Sequence, residues 1–184
     1  MATWKSRGLR GSVLEDMINR TNEKYRESGL ALIQKIPTPI TPIEIDQKSR
    51  HITLAYFDQK STVDYIGVVQ GIPVCFDAKE CHEDTFPLAN IHAHQVTFMQ
   101  QFEAQGGVAF LLIYYTKREL FYYLRLEKLL EFWKRAEEGG RKSFRMEELE
   151  EQFFLKKQSG VMVPYLDGLQ TDLDRRDEQE PDSV

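Results

Sequence analysis

The sequence has little of the features that define several specialised classes of protein. Its 184 residues include two cysteines, Cys75 and Cys81, too few for a disulfide framework, so we expect a reduced, cytoplasmic protein. No apolar run approaches the length that a bilayer requires, so we expect no membrane partner. The start, MATWKSRGLRGS, lacks the apolar stretch of a secretion signal. The length predicts one domain with a sizeable core.

A strong charge is also missing over most of the sequence. The formal net charge is −5, and residues 165–184 account for all of it with seven acidic residues against two arginines. We therefore predict an acidic, disordered tail at 167–184, a flexible basic N-terminus at 1–10 and a folded domain at 11–166. The neutral remainder permits a nucleic-acid-binding face without requiring one, and an evenly solvated surface is the alternative.

The pattern of apolar and turn-forming residues predicts a mixed α/β domain. A first helix is expected from about Ser12 to Ser28, followed by a strand in LALIQKI. The next segment, PTPITP, holds three prolines and predicts neither helix nor strand. Residues 43–57 then predict a hairpin of two extended arms joined at Lys48-Ser49-Arg50. The later predicted elements are strands at Tyr65–Val69 and Ile72–Ala78, a helix at Asn90–Gln105, the strands VAFLLIYY and ELFYYLRL, and helices at Leu126–Glu138 and about Met146–Phe154.

Charged residues stand at the ends of two adjacent predicted strands, where buried strands usually carry none. Asp64 precedes one strand, and Asp77 and Lys79 close the next, across the turn Gln70-Gly71. Residues two apart in a strand share a face, so Asp77 and Lys79 should project together. Antiparallel pairing around that turn places Asp64 opposite Asp77, with Cβ atoms roughly 5 Å apart.

Two carboxylates at that separation can hold a divalent cation, which cancels their mutual repulsion. Metal-assisted phosphodiester hydrolysis needs such a pair, together with a cation that stabilises the transition state. Asp64, Asp77 and Lys79 are therefore the candidate catalytic residues. The pattern D-(x12)-D-x-K is that of the PD-(D/E)xK nuclease superfamily, but it is short enough to recur by chance. Strand-end charges that face solvent are the alternative.

Longer stretches resemble the RecU family of bacterial Holliday-junction resolvases, also called penicillin-binding-protein-related factor A. The resemblance runs from about Leu14 to Leu166 and rests on LEDMINRTNEKYRESGLALIQKIPTP, AYFDQKSTVDYIGV, FDAKE, TFPLANIHAHQ, GGVAFLLIYY and GRKSF. The sequence departs from the family at Asp77, where glutamate is usual, and is one residue shorter between Lys79 and Phe86. Because aspartate is the shorter acid, the geometry and rate at the metal are open at this point.

The resemblance implies a restriction-endonuclease-like α/β fold, in which helices flank a mixed central sheet and a β-hairpin stalk protrudes at about residues 37–60. It implies a structure-selective endonuclease that resolves Holliday junctions by metal-dependent phosphodiester hydrolysis in recombination and DNA repair. The implied cofactor is Mg²⁺, with Mn²⁺ as an alternative. Two opposed cuts call for two sites related by a two-fold axis, which a C2 homodimer provides.

The resemblance also implies roles for individual side chains. Metal ligation is implied for Thr62, Asp64, Asp77 and Gln95, and stabilisation of the transition state for Lys79. The plain alternatives are a turn hydroxyl for Thr62, a core hydrogen bond for the amide of Gln95, and a simple ion pair between Lys79 and Asp77.

Three cations are candidates for DNA binding: Lys35 before the proline-rich segment, and Lys48 and Arg50 at the hairpin tip. In RecU-like proteins this stalk enters the open centre of a four-way junction. The implied partners are branched DNA and a second subunit, with a recombinase as a further candidate. Solvated charges on a surface hairpin are the alternative. A non-catalytic junction-binding or recombinase-modulating protein is the competing function, since Asp77 replaces the usual glutamate.

Two further sets of polar residues have competing explanations. Glu15 could hold a second ion or pair with Arg20 or Lys24, and the ion pair is the preferred interpretation. His92 and His94 diverge on a helix, and no Cys/His pair elsewhere completes a zinc site, so we expect helix-surface or phosphate-contacting roles. The aromatic series in the later strands is predicted to be core instead of a base-stacking surface: Tyr114, Tyr115, Phe121, Tyr122 and Tyr123.

Overall fold

The computed structural model describes residues 13–57, 62–156 and 160–179. The predicted N-cap Ser12 and the predicted flexible segment 1–10 lie outside these residues. Four helices are described: α1 (Val13–Glu27), α2 (Ala93–Glu103), α3 (Leu126–Glu137) and α4 (Tyr165–Gln179). The strands are β1 (Ala31–Lys35), β2 (Ile40–Asp46), β3 (His51–Phe57), β4 (Tyr65–Val69), β5 (Ile72–Cys81), β6 (Thr85–Pro87), β7 (Val108–Tyr115), β8 (Leu120–Arg125), β9 (Ser143–Arg145) and β10 (Phe154–Leu155).

A six-stranded mixed sheet forms the centre of the fold, in the order β1-β4-β5-β7-β8-β10. The β5–β7 pair is parallel and the other pairs are antiparallel. Helices α1 and α2 both pack against β5, and α4 packs against β8 and β10. The predicted fold class, a mixed central sheet flanked by helices, is confirmed.

The β4–β5 turn sets the register on which the predicted site depends. Gln70 and Gly71 have φ angles of 48° and 89°, the left-handed pair that a tight two-residue hairpin turn requires. The pairing then runs from Val69↔Ile72 to Tyr65↔Phe76, as the sequence predicted. The next residues outward on the two strands are Asp64 and Asp77.

A stack of aromatic rings supports these strands from one side of the sheet. The ring centroids of Tyr65 and Phe76 lie 4.8 Å apart, those of Phe76 and Phe110 lie 4.8 Å apart, and those of Phe110 and Tyr123 lie 4.3 Å apart. Tyr165 of α4 packs against Phe76 at 5.1 Å. Because packed rings leave their strands little freedom, this layer holds β4 and β5 rigidly beneath the acidic residues. The predicted core position is confirmed for Tyr115, Phe121, Tyr122 and Tyr123, and Tyr114 is half-buried.

The hairpin predicted at residues 43–57 is present as a separate two-stranded sheet, the β2–β3 ribbon. The prediction that PTPITP excludes a strand is wrong at its end, because β2 begins at Ile40 and Pro42 pairs with Ala55. Each strand of a two-stranded ribbon has an open edge, so a proline there need not donate to a neighbour. The pairing shifts directly after Pro42, which is where a β-bulge tolerates the missing N–H.

The prediction of a disordered tail from residue 167 is wrong up to Gln179, because α4 occupies that range. Leu169 is 2% exposed and Asp172 is fully buried. The Asp172 carboxylate accepts hydrogen bonds from the Tyr123 hydroxyl at 3.0 Å and from the Arg176 guanidinium at 3.0 Å. An acidic segment can fold when its acids are paired and one face is apolar, which composition alone does not reveal. Residues 180–184 lie outside the described part of the chain.

Two smaller predictions also need correction. The predicted helix at Asn90–Gln105 begins later, at Ala93, because Leu88–Asn90 forms a separate 3-10 turn and His92 caps α2. The predicted helix near Met146–Phe154 is two short 3-10 turns. Within residues 13–57, 62–156 and 160–179, no helix combines the length and apolar character needed to cross a membrane.

Candidate active site

The acidic pair comes from two neighbouring strands, and β5 continues past Asp77 and Lys79 to Cys81, beyond the predicted end at Ala78. Asp64 lies immediately before β4, and Asp77 lies within β5. The Asp64 Oδ2 atom accepts a hydrogen bond from the backbone N–H of Ala78 at 2.9 Å, so its carboxylate reaches across to β5. Asp64 is half-buried and Asp77 is 0% exposed. The predicted juxtaposition of the two acids is confirmed.

The Asp77 carboxylate has a different environment at each oxygen. Oδ1 accepts a hydrogen bond from Nε2 of Gln95 on α2 at 2.9 Å. Oδ2 lies 2.5 Å from Nζ of Lys79, which confirms that these two side chains share a face. Among the described residues Oδ2 has no hydrogen bond of good geometry, and its surroundings are the Lys79 ammonium and the nearby Asp64 carboxylate.

Burial raises the pKa of the Asp77 carboxyl to about 7, because water no longer stabilises its charge. The negative charge of Asp64 raises the pKa further, and the positive charge of Lys79 opposes the shift. Near neutral pH the pair therefore holds less negative charge than two exposed carboxylates would. A cation placed between them would favour the ionised form of both.

These features fit a hard divalent cation. Two carboxylates on rigid strands offer oxygen ligands, and the Asp77 Oδ2 atom lacks the donor that a buried oxygen normally has. Thr62 is half-buried and lies two residues before Asp64, in the same segment that leads into β4. Among the described residues, no group of three or more His, Cys, Asp or Glu side chains is arranged to hold a metal. Neutral oxygens would have to complete the coordination.

Lys35 of β1 and Glu15 of α1 form an ion pair. The preferred expectation that Glu15 pairs with Arg20 or Lys24 is therefore wrong in its partner. Lys35 ends β1, and the backbone N–H of the next residue, Ile36, donates to the carbonyl oxygen of Asp64 at 2.8 Å. Arg20 and Lys24 are close to Glu15 in the sequence, but the fold places Lys35, at the end of β1, within reach of Glu15. The backbone at the end of β1 thus lies next to Asp64, whereas the Lys35 side chain shares a face with its partner Tyr65, opposite to the face of Asp77.

Lys48 and Arg50 lie apart from the acids, at the turn of the β2–β3 ribbon. Asp46 organises that turn: Oδ1 accepts from the Lys48 N–H at 3.0 Å, and Oδ2 accepts from the Ser49 hydroxyl at 2.6 Å. Arg50 adopts a left-handed φ of 57°. The turn is therefore defined, and it presents two cations at the end of a projecting element.

Sequence reasoning missed the structural roles of two residues that shape the site, Glu80 and His92. Glu80 directly follows Lys79, and its Oε1 accepts from the backbone N–H of Leu14 at 2.9 Å, which ties the start of α1 to β5. His92 is the N-cap of α2, and its backbone N–H donates to Oε1 of Gln95 at 3.1 Å. The signal for the second contact was the spacing of three residues between cap and glutamine, as in a capping box. No local signal pointed to the first.

Comparisons with known proteins agree on one family. The model of the family RecU, Recombination protein U, matches residues 9–171. The chain is 45% identical over 145 residues to a Holliday junction resolvase RecU of Geobacillus kaustophilus, covering 77% of this chain and 72% of that one. It is 41% identical over 164 residues to a Holliday junction resolvase RecU of Pediococcus pentosaceus, covering 86% of this chain and 82% of that one.

A solved structure, the Holliday junction resolvase Hjc of Archaeoglobus fulgidus, matches with a TM-score of 0.41 and 10% identity. That match covers 64% of this chain and 78% of the archaeal one.

Proposed function

The chain belongs to the RecU family, and from that premise we propose that it is a structure-selective endonuclease that resolves Holliday junctions in recombination and DNA repair. The single observation that carries the proposal is the acidic pair with its lysine. Asp64 and Asp77 meet across β4 and β5, and Lys79 lies 2.5 Å from Asp77. A buried acid with a raised pKa beside a second acid is costly for stability, and such costs concentrate at functional sites.

Mg²⁺ is the proposed cofactor, with Mn²⁺ as an alternative, and Thr62, Asp64, Asp77 and Gln95 are its proposed ligands. When bound, the ion would lower the pKa of an attacking water and neutralise charge on the leaving oxygen. Asp64 and Asp77 would hold it from two rigid strands. Lys79 would place its ammonium beside the scissile phosphate, where it opposes the negative charge that develops in the transition state.

DNA would be recognised by branch shape and backbone charge more than by base edges. Lys35 ends β1, whose backbone adjoins Asp64, and we propose that its ammonium contacts phosphate. Lys48 and Arg50 project on the β2–β3 ribbon, and we propose that they contact the converging phosphates of the junction centre. A cation on a narrow projection can approach several strands at once, which a flat surface cannot do.

A C2 homodimer is proposed, because two opposed cuts need two sites related by a two-fold axis. The exposure of the ribbon supports a second subunit: seven of the thirteen exposed large hydrophobic side chains in the described residues lie on β2 and β3. Patches of this kind usually mark an interaction surface. A recombinase partner and a cytoplasmic location stay predictions.

The test is cleavage of a synthetic four-way junction by the full chain with Mg²⁺. We expect symmetric nicking by the unmodified protein, and a loss on the order of 10²-fold or more in Asp64→Ala and Lys79→Met, since each removes charge stabilisation at the reacting phosphate. Glu23→Gln, an exposed acid on α1, is the matched control and should cleave normally. Gel-shift binding separates the competing function: equal junction binding by all variants with no cleavage by any would favour a non-catalytic junction-binding protein.

A further inference from the structure

One arginine joins the C-terminal helix α4 to helix α2 of the candidate active site. Arg176 of α4 donates from Nε to Asp172 Oδ1 at 3.0 Å, and from Nη2 to Glu103 Oε1 at 2.6 Å. Asp172 lies on α4 and is fully buried, whereas Glu103 is the last residue of α2. A single guanidinium therefore bridges two acids on different helices.

The α4 end of this bridge is held in a buried polar network. Asp172 Oδ2 accepts a hydrogen bond from the Tyr123 hydroxyl at 3.0 Å, and Nη1 of Arg125 lies 3.8 Å from Asp172 Oδ1. Tyr123 and Arg125 are 0% and 3% exposed. Buried polar networks with paired groups are rigid, so Asp172 fixes the Arg176 side chain relative to β8.

The α2 end of the bridge holds the connection from α2 to β7. Glu103 Oε1 also accepts a hydrogen bond from the backbone N–H of Ala109 at 3.1 Å. The connection is tight, because a Cβ atom at Gly107 would lie 2.3 Å from the ring of Phe102. The helix dipole disfavours an acid at the C-terminal end of α2, and the Arg176 guanidinium offsets that cost. Glu103 is thus stabilised by a residue outside α2.

The opposite end of α2 carries Gln95, whose Nε2 donates to Asp77 Oδ1 at 2.9 Å. Gln95 and Glu103 are separated by eight positions, roughly 12 Å along a helix axis. Because a helix moves as a rigid unit, a tilt of about 5° at Glu103 displaces Gln95 by roughly 1 Å. A displacement of that size near a reacting centre can cost roughly 100-fold in rate.

We propose that Arg176 is a positioning residue, which fixes α2 through Glu103 and so sets the place of Gln95 at the acidic pair. The inference rests on the proposed function, in which Gln95 is a metal ligand. Asp172 and Arg176 lie beyond residue 171, where the match to the family model ends. Helix α4 therefore contributes to the geometry of the candidate active site as well as to the core.

Three substitutions alter the bridge, and a fourth is the matched control. Arg176→Gln removes the guanidinium, and Glu103→Gln removes the charge but keeps an oxygen for the N–H of Ala109. Arg176→Lys keeps the charge, which protects the fold, but an ammonium cannot contact both acids as a fork. Arg175→Gln is the control, because Arg175 is the preceding residue of α4 and pairs with Glu150.

The first readout is the side-chain amide resonance of Gln95, recorded by NMR in the full-length protein without metal. We expect this resonance to shift in Arg176→Gln, Arg176→Lys and Glu103→Gln, and to keep its position in Arg175→Gln. An unchanged resonance in Arg176→Gln would overturn the proposal. This readout needs neither metal nor DNA.

The second readout is the affinity for Mg²⁺, followed by titration of the Ala78 amide resonance, since the N–H of Ala78 donates to Asp64. We expect the half-saturating concentration to rise about threefold to tenfold in Arg176→Gln and in Glu103→Gln, and by less than about twofold in Arg175→Gln. The double variant should match the larger single effect, because both residues act through one contact. Additive effects, or an equal rise in Arg175→Gln, would mean a general loss of stability and would overturn the role of Arg176.

Junction cleavage at saturating Mg²⁺ is the third readout. We expect the rate to fall about tenfold in Arg176→Gln, while the junction affinity measured by gel shift changes by less than about twofold. A loss of junction affinity with an unchanged cleavage rate would contradict the positioning role. If the unmodified protein does not cleave, the proposed nuclease function fails, and the metal-free resonance of Gln95 still decides whether Arg176 positions α2.

Discussion

At the scale of single residues, Asp77 occupies a position that is costly for folding. It is fully buried, its pKa is raised to about 7, and Lys79 and Gln95 are its partners. Burial of this charge destabilises the folded protein, and a bound cation would offset that cost. Stability and function therefore oppose each other at this residue.

The first consequence concerns pH. An unfolded aspartate loses its proton near pH 4, whereas Asp77 in the folded protein keeps it to about pH 7. Between these values the folded state binds more protons than the unfolded state, so its free energy of unfolding falls as the pH rises, and the fall ends above about pH 7. The stability linked to the protonated Asp77 carboxyl is therefore fully present below about pH 4, and it is lost as the pH rises through about 7.

We expect Asp77→Asn to be more stable than the unmodified protein at pH 8 by roughly 1–3 kcal/mol, because asparagine carries no charge to bury. The difference should shrink toward zero near pH 4, and cleavage should be lost at every pH. Urea unfolding in the presence of EDTA measures it. Asp174→Asn, at an exposed position on α4, is the control. A stability difference that stays constant from pH 4 to pH 8 would contradict the assigned burial of the charge.

At the scale of elements, the β2–β3 ribbon and α4 differ in where they place their charged and apolar side chains. Helix α4 buries Asp172 against Tyr123, with Arg125 and Arg176 nearby, and so docks an acidic segment onto the sheet. The ribbon keeps its charges at a turn and leaves its hydrophobic side chains exposed. The helix completes the core of one chain, while the ribbon is built for contact with something outside it.

The ribbon turn predicts a salt effect. Lys48→Gln and Arg50→Asn should each weaken junction binding and lower the slope of log affinity against log salt concentration by about 0.7–0.9, the contribution of one phosphate contact. Asparagine is the choice at position 50 because it tolerates the left-handed φ of 57° better than most residues. Binding titrations over a range of salt concentrations measure the slope.

Lys134→Gln is the matched control for this series. Lys134 lies on α3, where its 76% exposed side chain forms a long ion pair with Glu138 at 3.9 Å, a contact weak enough to leave its charge accessible to DNA. An equal loss of slope in all three variants would mean that total charge, and not the ribbon, governs binding.

At the scale of the whole molecule, the proposed two-fold assembly can be tested through the ribbon. Ile45 and Ile52 face each other across β2 and β3, and they are 57% and 46% exposed. Burying such a side chain contributes about 1.5–3 kcal/mol, so a pair can decide whether two subunits associate. Threonine keeps the β-branched shape that a strand favours while it removes most of the apolar area.

We expect the unmodified protein to sediment as a dimer and the double variant Ile45→Thr, Ile52→Thr to dissociate at least about tenfold more readily. Analytical ultracentrifugation over a concentration series measures this. Leu120→Thr, another exposed apolar position in a strand, is the control. A dimer that is unaffected by the double variant would place the interface elsewhere, and a monomer at every concentration would contradict the homodimer.

Short-range patterns in the sequence determined much of the site. The pair Gln70-Gly71 specifies a two-residue turn, and that turn sets the register that brings Asp64 opposite Asp77. The spacing of Asp77 and Lys79 places them on one face because a strand alternates. The ribbon with Lys48 at its turn followed from alternation as well. Each of these results depends on neighbours within a few residues, which a sequence displays directly.

Only the tertiary structure decided which polar groups meet across long separations. The pairing of Glu15 with Lys35, the capping of Leu14 by Glu80 and the burial of Asp172 all join segments that the sequence keeps far apart. The orientation of the Gln95 amide belongs with them, since it follows from having a donor on one side and an acceptor on the other. Composition and periodicity describe one segment at a time, whereas a hydrogen bond in a buried site is set by both partners at once.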